Sequence, residues 1–413
     1  MATLTNVHIP NMRILITLLV CMMGTSAYAD FSVENADSIA IRYRYINDNY
    51  DAVVANDNNF RNLYAGHVVI PEEITYNDIT SKVVAIDNHA FYLCPDLTSV
   101  TIPESVTCIG SSAFAGCSSL TTIIGGDSIT SIVFSAFHDC SSLTSVPITD
   151  KVTFIDRYAF QGCSSLTSVM IPSSLTENAE GVFWGCSSPT SMTIPESVTT
   201  IGAGAFLGCS GLTSLTIPDS VTMIGDNAFN GCSGLTTISI PDGVTEISGG
   251  MFSGCSSLTE ITIPDSVTSI GANAFQYCSS LTSLTIPSHV TSIGIRAFDL
   301  CNSLTSVLVL CSPTSIPEDT GLFVTCNELK EVTFDCETVV PLCDVARTLE
   351  TVTLTDKVKE IRPLAFAGCL KLSSITLPEG LTAIYDDTFN GCQSLTSINI
   401  PSSVGYIGDR AVA

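Results

Sequence analysis

Residues 275–298 read FQYCSSLTSLTIPSHVTSIGIRAF, and the closing Phe298 stands 23 residues after the opening Phe275. Strand side chains alternate between faces, so Leu281, Leu284 and Ile286 point inward while Ser283 and Thr285 point outward. Pro287 has no N–H to donate to a ladder and ends the strand. A second short β segment follows from Val290 to Ile293, and Gly294 then permits a turn that a side chain would hinder. Ala297 and Phe298 are expected to fill the convex side in a short helical turn.

The same unit recurs along the chain. Phe stands at 91, 114, 137, 160, 183, 206, 229, 252, 275 and 298, every step being 23, and again at 323, 366 and 389. A Cys follows each of these three residues later, from Cys94 to Cys392. From Phe298 to Phe366 is 68 residues, one short of three units, so a degraded unit lies between, with Cys343 in the Phe slot and Leu349 opening its strand. Val412 falls in the Phe slot of the last unit. The count is fourteen units, thirteen of them clear. A fixed period of 20–29 residues with this leucine spacing means a leucine-rich solenoid. One unit cannot bury its own apolar face, whereas stacked units bury each other's.

The pattern A-F-x-G-C-x-x-L-x-x-I-x-I-P-x-x-V-x-x-I-G resembles the BspA-like leucine-rich repeats of bacterial and protist surface proteins. The resemblance covers residues 91–413. It implies an α/β, β-rich, right-handed leucine-rich repeat solenoid, preceded by a β-rich N-terminal cap and first irregular unit at 30–90. Phe31-Ser32-Val33, Ile41–Tyr45 and His67–Pro71 carry the cap reading. Pro71 to Phe91 spans 20 residues where later units use 11, so an insertion is expected within 72–81. Residues 302–360 depart most from the consensus. The family further implies a secreted or surface adhesin that binds extracellular-matrix proteins, such as fibronectin or fibrinogen, or other cells.

Charge narrows the partners. Fifteen Lys and Arg face 40 Asp and Glu, a net charge of −25. Nucleic acid needs basic contacts to its phosphates, so it is excluded as a partner, and so is electrostatic docking to anionic lipid. Hydrophobic residues make up 45%, too many for a disordered acidic chain. Arg13, the apolar run 14–23 and Ala27-Tyr28-Ala29 form a signal peptide over 1–29, with cleavage expected after Ala29. No later stretch is apolar enough for a transmembrane helix in the mature chain. The expected location is secreted or cell surface.

Thirteen cysteines share one slot as small inward hydrophobes and are expected to be free thiols. Cys311 and Cys336 break that pattern. Each lies seven residues after its strand's opening Leu, Leu304 and Leu329, in neighbouring units. Equivalent positions of adjacent coils lie ~5 Å apart, within disulfide reach, so a Cys311–Cys336 disulfide is expected. No catalytic motif stands out: His67, His89, His138 and His289 are scattered, and the chain is read as not an enzyme, with no cofactor. Glu104, Glu196, Asp219, Asp242, Asp265 and Glu379 follow strand prolines and form an acidic edge, either turn chemistry and solubility or a divalent-cation site. Ser99, Thr101, Ser214, Thr216, Ser283 and Thr285 define a polar concave face, the expected site for a protein partner. Trp184 is either an interface anchor or a cover for convex surface. The alternative to adhesion is a structural scaffold or glycan-binding surface protein with a cation-binding acidic edge. The sequence leaves the oligomeric state open.

Overall fold

The computed structural model describes residues 30–47, 51–55, 64–146, 148–313, 323, 325–342 and 347–412. The expected signal segment 1–29 and Cys343 lie outside them. The chain forms two compact units, Met1–Leu175 with Ala179–Pro189, and Thr176–Asn178 with Thr190–Ala413. Each is a β-solenoid of the repeat.

In the first unit, β1 (Phe31–Glu34), β2 (Ala40–Tyr45) and β3 (Ala52–Val54) pair antiparallel in sequence order. After β4 (Gly66–Val69), the segment expected as an insertion becomes a hairpin of β5 (Glu73–Tyr76) and β6 (Ile79–Ile86). Its two turn residues, Asn77 and Asp78, both take positive φ, 49° and 65°. Asn and Asp tolerate that region, and such turns match the twist of paired strands. β3 runs parallel to β6, and β6 in turn pairs with Cys108–Ile109, the short second strand of the next coil. The antiparallel strands thus lie at the start of the sheet built by the second β segments. β4 starts the other sheet, pairing parallel with Leu97–Ile102, which pairs with Thr122–Gly125.

In the second unit the main strands stack the same way. Ser283–Ile286, Ser306–Val309, Glu331–Phe334 and Thr351–Leu354 pair parallel, residue for residue. Leu349 is fully buried, so the shortened unit keeps its strand in register and loses its residues elsewhere.

No α-helix occurs among the described residues. The expected helical turn around Phe298 is a pair of tight turns instead, and backbone handedness is the reason. Each clear coil whose flanking residues are described places one residue two before its Phe, and another two after, at positive φ. Asn227 (56°) and Gly231 (72°) flank Phe229, and Arg296 (55°) and Leu300 (59°) flank Phe298. A right-handed helix accommodates neither. Hydrogen bonding alternates accordingly: Phe229 N–H donates to Met251 O of the next coil at 3.0 Å, while Cys232 N–H donates back to Phe229 O at 3.1 Å. Gly294 is the turn residue that a side chain would hinder, although its φ is not positive. A Cβ there would collide with the backbone of Gly271 and Ala272 one coil earlier.

The core is a column of rings. Phe91, Phe114, Phe137 and Phe160 stack with centroids 5.0, 5.2 and 5.5 Å apart. In the second unit Phe229 lies 5.6 Å from both Phe206 and Phe252. Phe334, from a strand, meets Phe366 edge-on at 6.3 Å, beside the unit that lacks a Phe in its slot.

Candidate binding face

The six hydroxyl residues of the expected concave face all stand on main strands, with the intervening residue buried. Ser214 and Thr216 are exposed and flank buried Leu215; Ser283 and Thr285 are exposed and flank buried Leu284. Register joins Ser214 to Ser191 and Thr216 to Thr193 on one side, and a bridge joins Ser214 to Thr237 on the other. The result within the second unit is a grid of hydroxyls one strand spacing apart, ~4.8 Å.

In the first unit the face is different. Ser99 and Thr101 are half-buried, and both contact one imidazole, His67 Nδ1 with Ser99 Oγ at 2.6 Å and His67 Nε2 with Thr101 Oγ1 at 3.3 Å. His67 occupies the strand slot of Ser99 one coil earlier. The outward slot of Thr101 is taken in the following coil by Ile124, 47% exposed, its register partner. Met170 takes the corresponding slot further on, four residues after Leu166, and is 49% exposed. The first unit therefore presents aliphatic side chains among its hydroxyls.

The cysteine ladder does more than fill space. Cys117, Cys140, Cys163 and Cys186 each donate S–H to the carbonyl of the Phe 26 residues earlier, at 3.0 to 3.2 Å. Cys232, Cys255, Cys278 and Cys301 repeat this at 3.2 to 3.3 Å. A buried carbonyl left unpaired is costly, so the thiol's hydrogen bond favours Cys over Ala in this slot. Burial pushes the thiols of Cys186, Cys232 and Cys278 up to about 12, which makes them poor nucleophiles and metal ligands. A parallel file of threonines, such as Thr213, Thr236, Thr259 and Thr282, donates each hydroxyl to the carbonyl of the one before, 23 residues back.

Cys311 and Cys336 lie where the spacing put them, each two residues beyond the register pair Val309 and Phe334. The expected disulfide is not formed. Both are buried free thiols, and Cys336 S–H donates to Thr338 O at 3.5 Å instead.

The acidic edge stays one carboxylate per coil. Glu104 accepts a hydrogen bond from Ser128 Oγ at 2.7 Å. Among the described residues, no three His, Cys, Asp or Glu side chains are gathered to hold a metal ion. Nor is any described helix long and apolar enough to cross a membrane.

A family profile described as "BspA type Leucine rich repeat region (6 copies)" matches residues 84–213, 199–330 and 344–413. The chain belongs to the BspA-type leucine-rich repeat family. Among solved structures it is similar to a leucine-rich repeat protein of Bacteroides ovatus, with 30% identity, 89% of each chain covered and a TM-score of 0.65. It is also similar to a leucine-rich cell surface protein of Faecalibacterium prausnitzii, with 29% identity over 91% of this chain and 96% of that one, TM-score 0.53. The pneumococcal vaccine antigen PcpA shares the fold, with 21% identity over 80% of this chain and 93% of that one, TM-score 0.54. No curated protein matches the chain.

The BspA-type repeat was legible from its period, but three features of the binding face were not drawn from the sequence. His67 was visible as part of a strand-like run, yet its pairing with Ser99 and Thr101 needs the register across an insertion. Ile124 and Met170 hold Thr-type slots, and counting four residues from Leu120 and Leu166 would have found them.

Proposed function

We propose that this BspA-type chain is a non-enzymatic secreted or cell-surface protein whose strand face binds a protein partner, an extracellular-matrix protein or the surface of another cell. The observation that carries this reading is the composition of that face. Its hydroxyls are regular and solvated, and in the first unit Ile124 and Met170 stand exposed among them. Aliphatic side chains in a hydroxyl field suit the mixed apolar and polar contact of a protein interface, and solenoids offer extended surfaces for such contacts. Ser99, Thr101, Ser214, Thr216, Ser283 and Thr285 are the hydroxyls that would face the partner. Similarity to a cell surface protein of Faecalibacterium prausnitzii supports the location, as does the signal peptide expected at 1–29.

The test is retention of purified fibronectin or fibrinogen by the immobilised chain at physiological salt, beside an Ile124→Glu, Met170→Glu variant. Retention by the parent and its loss in the variant, with an unchanged melting temperature, is the expected result. Equal retention by both, or none by the parent, overturns the reading.

A further inference from the structure

On the turn side of the first unit, one compact region departs from the repeat. Phe134, Arg157 and Glu180 occupy the same slot, three residues before the coil Phe, in consecutive coils. Tyr158 sits in the left-handed slot at φ 59°, where most coils place Gly, Ser or Asn. A bulky side chain in that backbone region is held there only by its surroundings. Trp184, the single Trp of the chain, follows Phe183. Departures of this kind in an otherwise consistent array mark functional sites.

The three rings touch. Phe134 meets Tyr158 edge to face, centroids 5.8 Å apart at 86°, and Tyr158 lies 6.4 Å from Trp184 at 54°. Phe134 and Trp184 are each 39% exposed. The Tyr158 hydroxyl donates to the Glu180 carboxylate, and its ring packs over Gly181, where any Cβ would collide with it. Carboxylates outnumber cations around the rings. Arg157 reaches Glu180 at 3.7 Å and Asp156 at 3.9 Å, while exposed Asp139 pairs with His138 at 3.1 Å.

Rings set at such angles do not form the coplanar platform on which a flat sugar stacks. They offer ring faces around a corner, and cations are drawn to aromatic faces. The surrounding carboxylates act in the same direction, and a chain of net charge −25 attracts basic partners over acidic ones. We propose that Phe134, Tyr158 and Trp184, with Asp139, Asp156 and Glu180, form a second interaction surface that seats the Lys or Arg side chains of a basic protein segment. An incoming guanidinium takes the place of Arg157 at Glu180. Exposed Trp and Tyr with adjoining charge is the composition of interface anchors.

Trp184 is its own reporter. Octaarginine titrated into the full chain at physiological salt is expected to change Trp184 emission saturably. Phe134→Ala and Glu180→Gln should each raise Kd about fivefold, and Arg157→Ala, which removes the competing cation, should lower it. Asp242→Asn, on the acidic edge, should leave Kd within about twofold, as a screened surface charge does. The proposal is overturned by an unsaturable response or by the same response to octaglutamine. It is equally overturned if Asp242→Asn weakens binding as much as Glu180→Gln, or if Arg157→Ala weakens it.

Discussion

At the scale of the residue, the stability of a coil rests on very few slots. Phe229 is fully buried between two rings in its column, and its carbonyl is held by Cys255 while its N–H is held by Met251. Phe229→Ala leaves a cavity that neither neighbour fills, and a loss of about 3–5 kcal/mol is expected. Ser214, exposed on the strand face, is the matched control: Ser214→Ala should change stability by less than about 0.5 kcal/mol. Thermal melts of the two variants decide the matter, since similar losses would mean that inward and outward faces are misassigned. The inward slots were legible because their chemistry is monotonous. The left-handed slots were not, because Tyr158, Arg296 and Leu364 occupy a conformation that only Gly and Asn advertise.

At the scale of the element, parallel register was legible from leucine spacing and correctly aligned the strand after Leu349 with that after Leu329. The helical turn was misjudged, since Ala and Phe suit a helix while the flanking handedness forbids it. The hairpin of β5 and β6 was visible only as surplus length. Register also fixes what oxidation can do to Cys311 and Cys336. Equivalent positions on adjacent parallel strands lie ~4.8 Å apart, inside the range a disulfide spans. Burial holds the thiols up, Cys311 to about 12 and Cys336 to about 11, so neither reacts readily in the folded chain. Refolding with oxidised glutathione, which accepts the two electrons, is expected to link this pair while the slot cysteines remain alkylatable. The link should raise unfolding free energy by roughly 3–4 kcal/mol for a loop of this length. Non-reduced peptide maps showing Cys311 and Cys336 both alkylated after such refolding would count against it.

At the scale of the whole molecule, the buried thiols act together on pH dependence. An unfolded cysteine loses its proton near 8.5, whereas Cys186, Cys232 and Cys278 keep theirs to about 12. Between those values the folded chain binds more protons than the unfolded one, so stability falls as pH rises. Below the unfolded value the contribution is fully present. Each such thiol adds a slope of about 1.4 kcal/mol per pH unit, and the sum over many coils is large. Melting temperature should drop steeply between about pH 9 and 11, and Cys232→Ala should make the drop shallower. A flat profile across that interval would mean that the slot thiols are not shielded from solvent.

In the regular coils the ladders join neighbours at intervals of 23 residues for the Thr hydroxyls and 26 for the slot thiols. Each coil therefore recognises its neighbour by position and not by identity. If an in-frame deletion removed residues 229–251 from the gene, Phe252 would inherit the place of Phe229. Its thiol and hydroxyl partners would be reinstated by equivalent residues. Misaligned recombination between one repeat and the next is then a tolerated mutation, and surplus residues are absorbed outside the ladder, as between Phe298 and Cys326, whose thiol bond spans 28 residues. Array length becomes a heritable variable that lineages can tune without re-evolving a core, and selection on reach or valency can act on it directly.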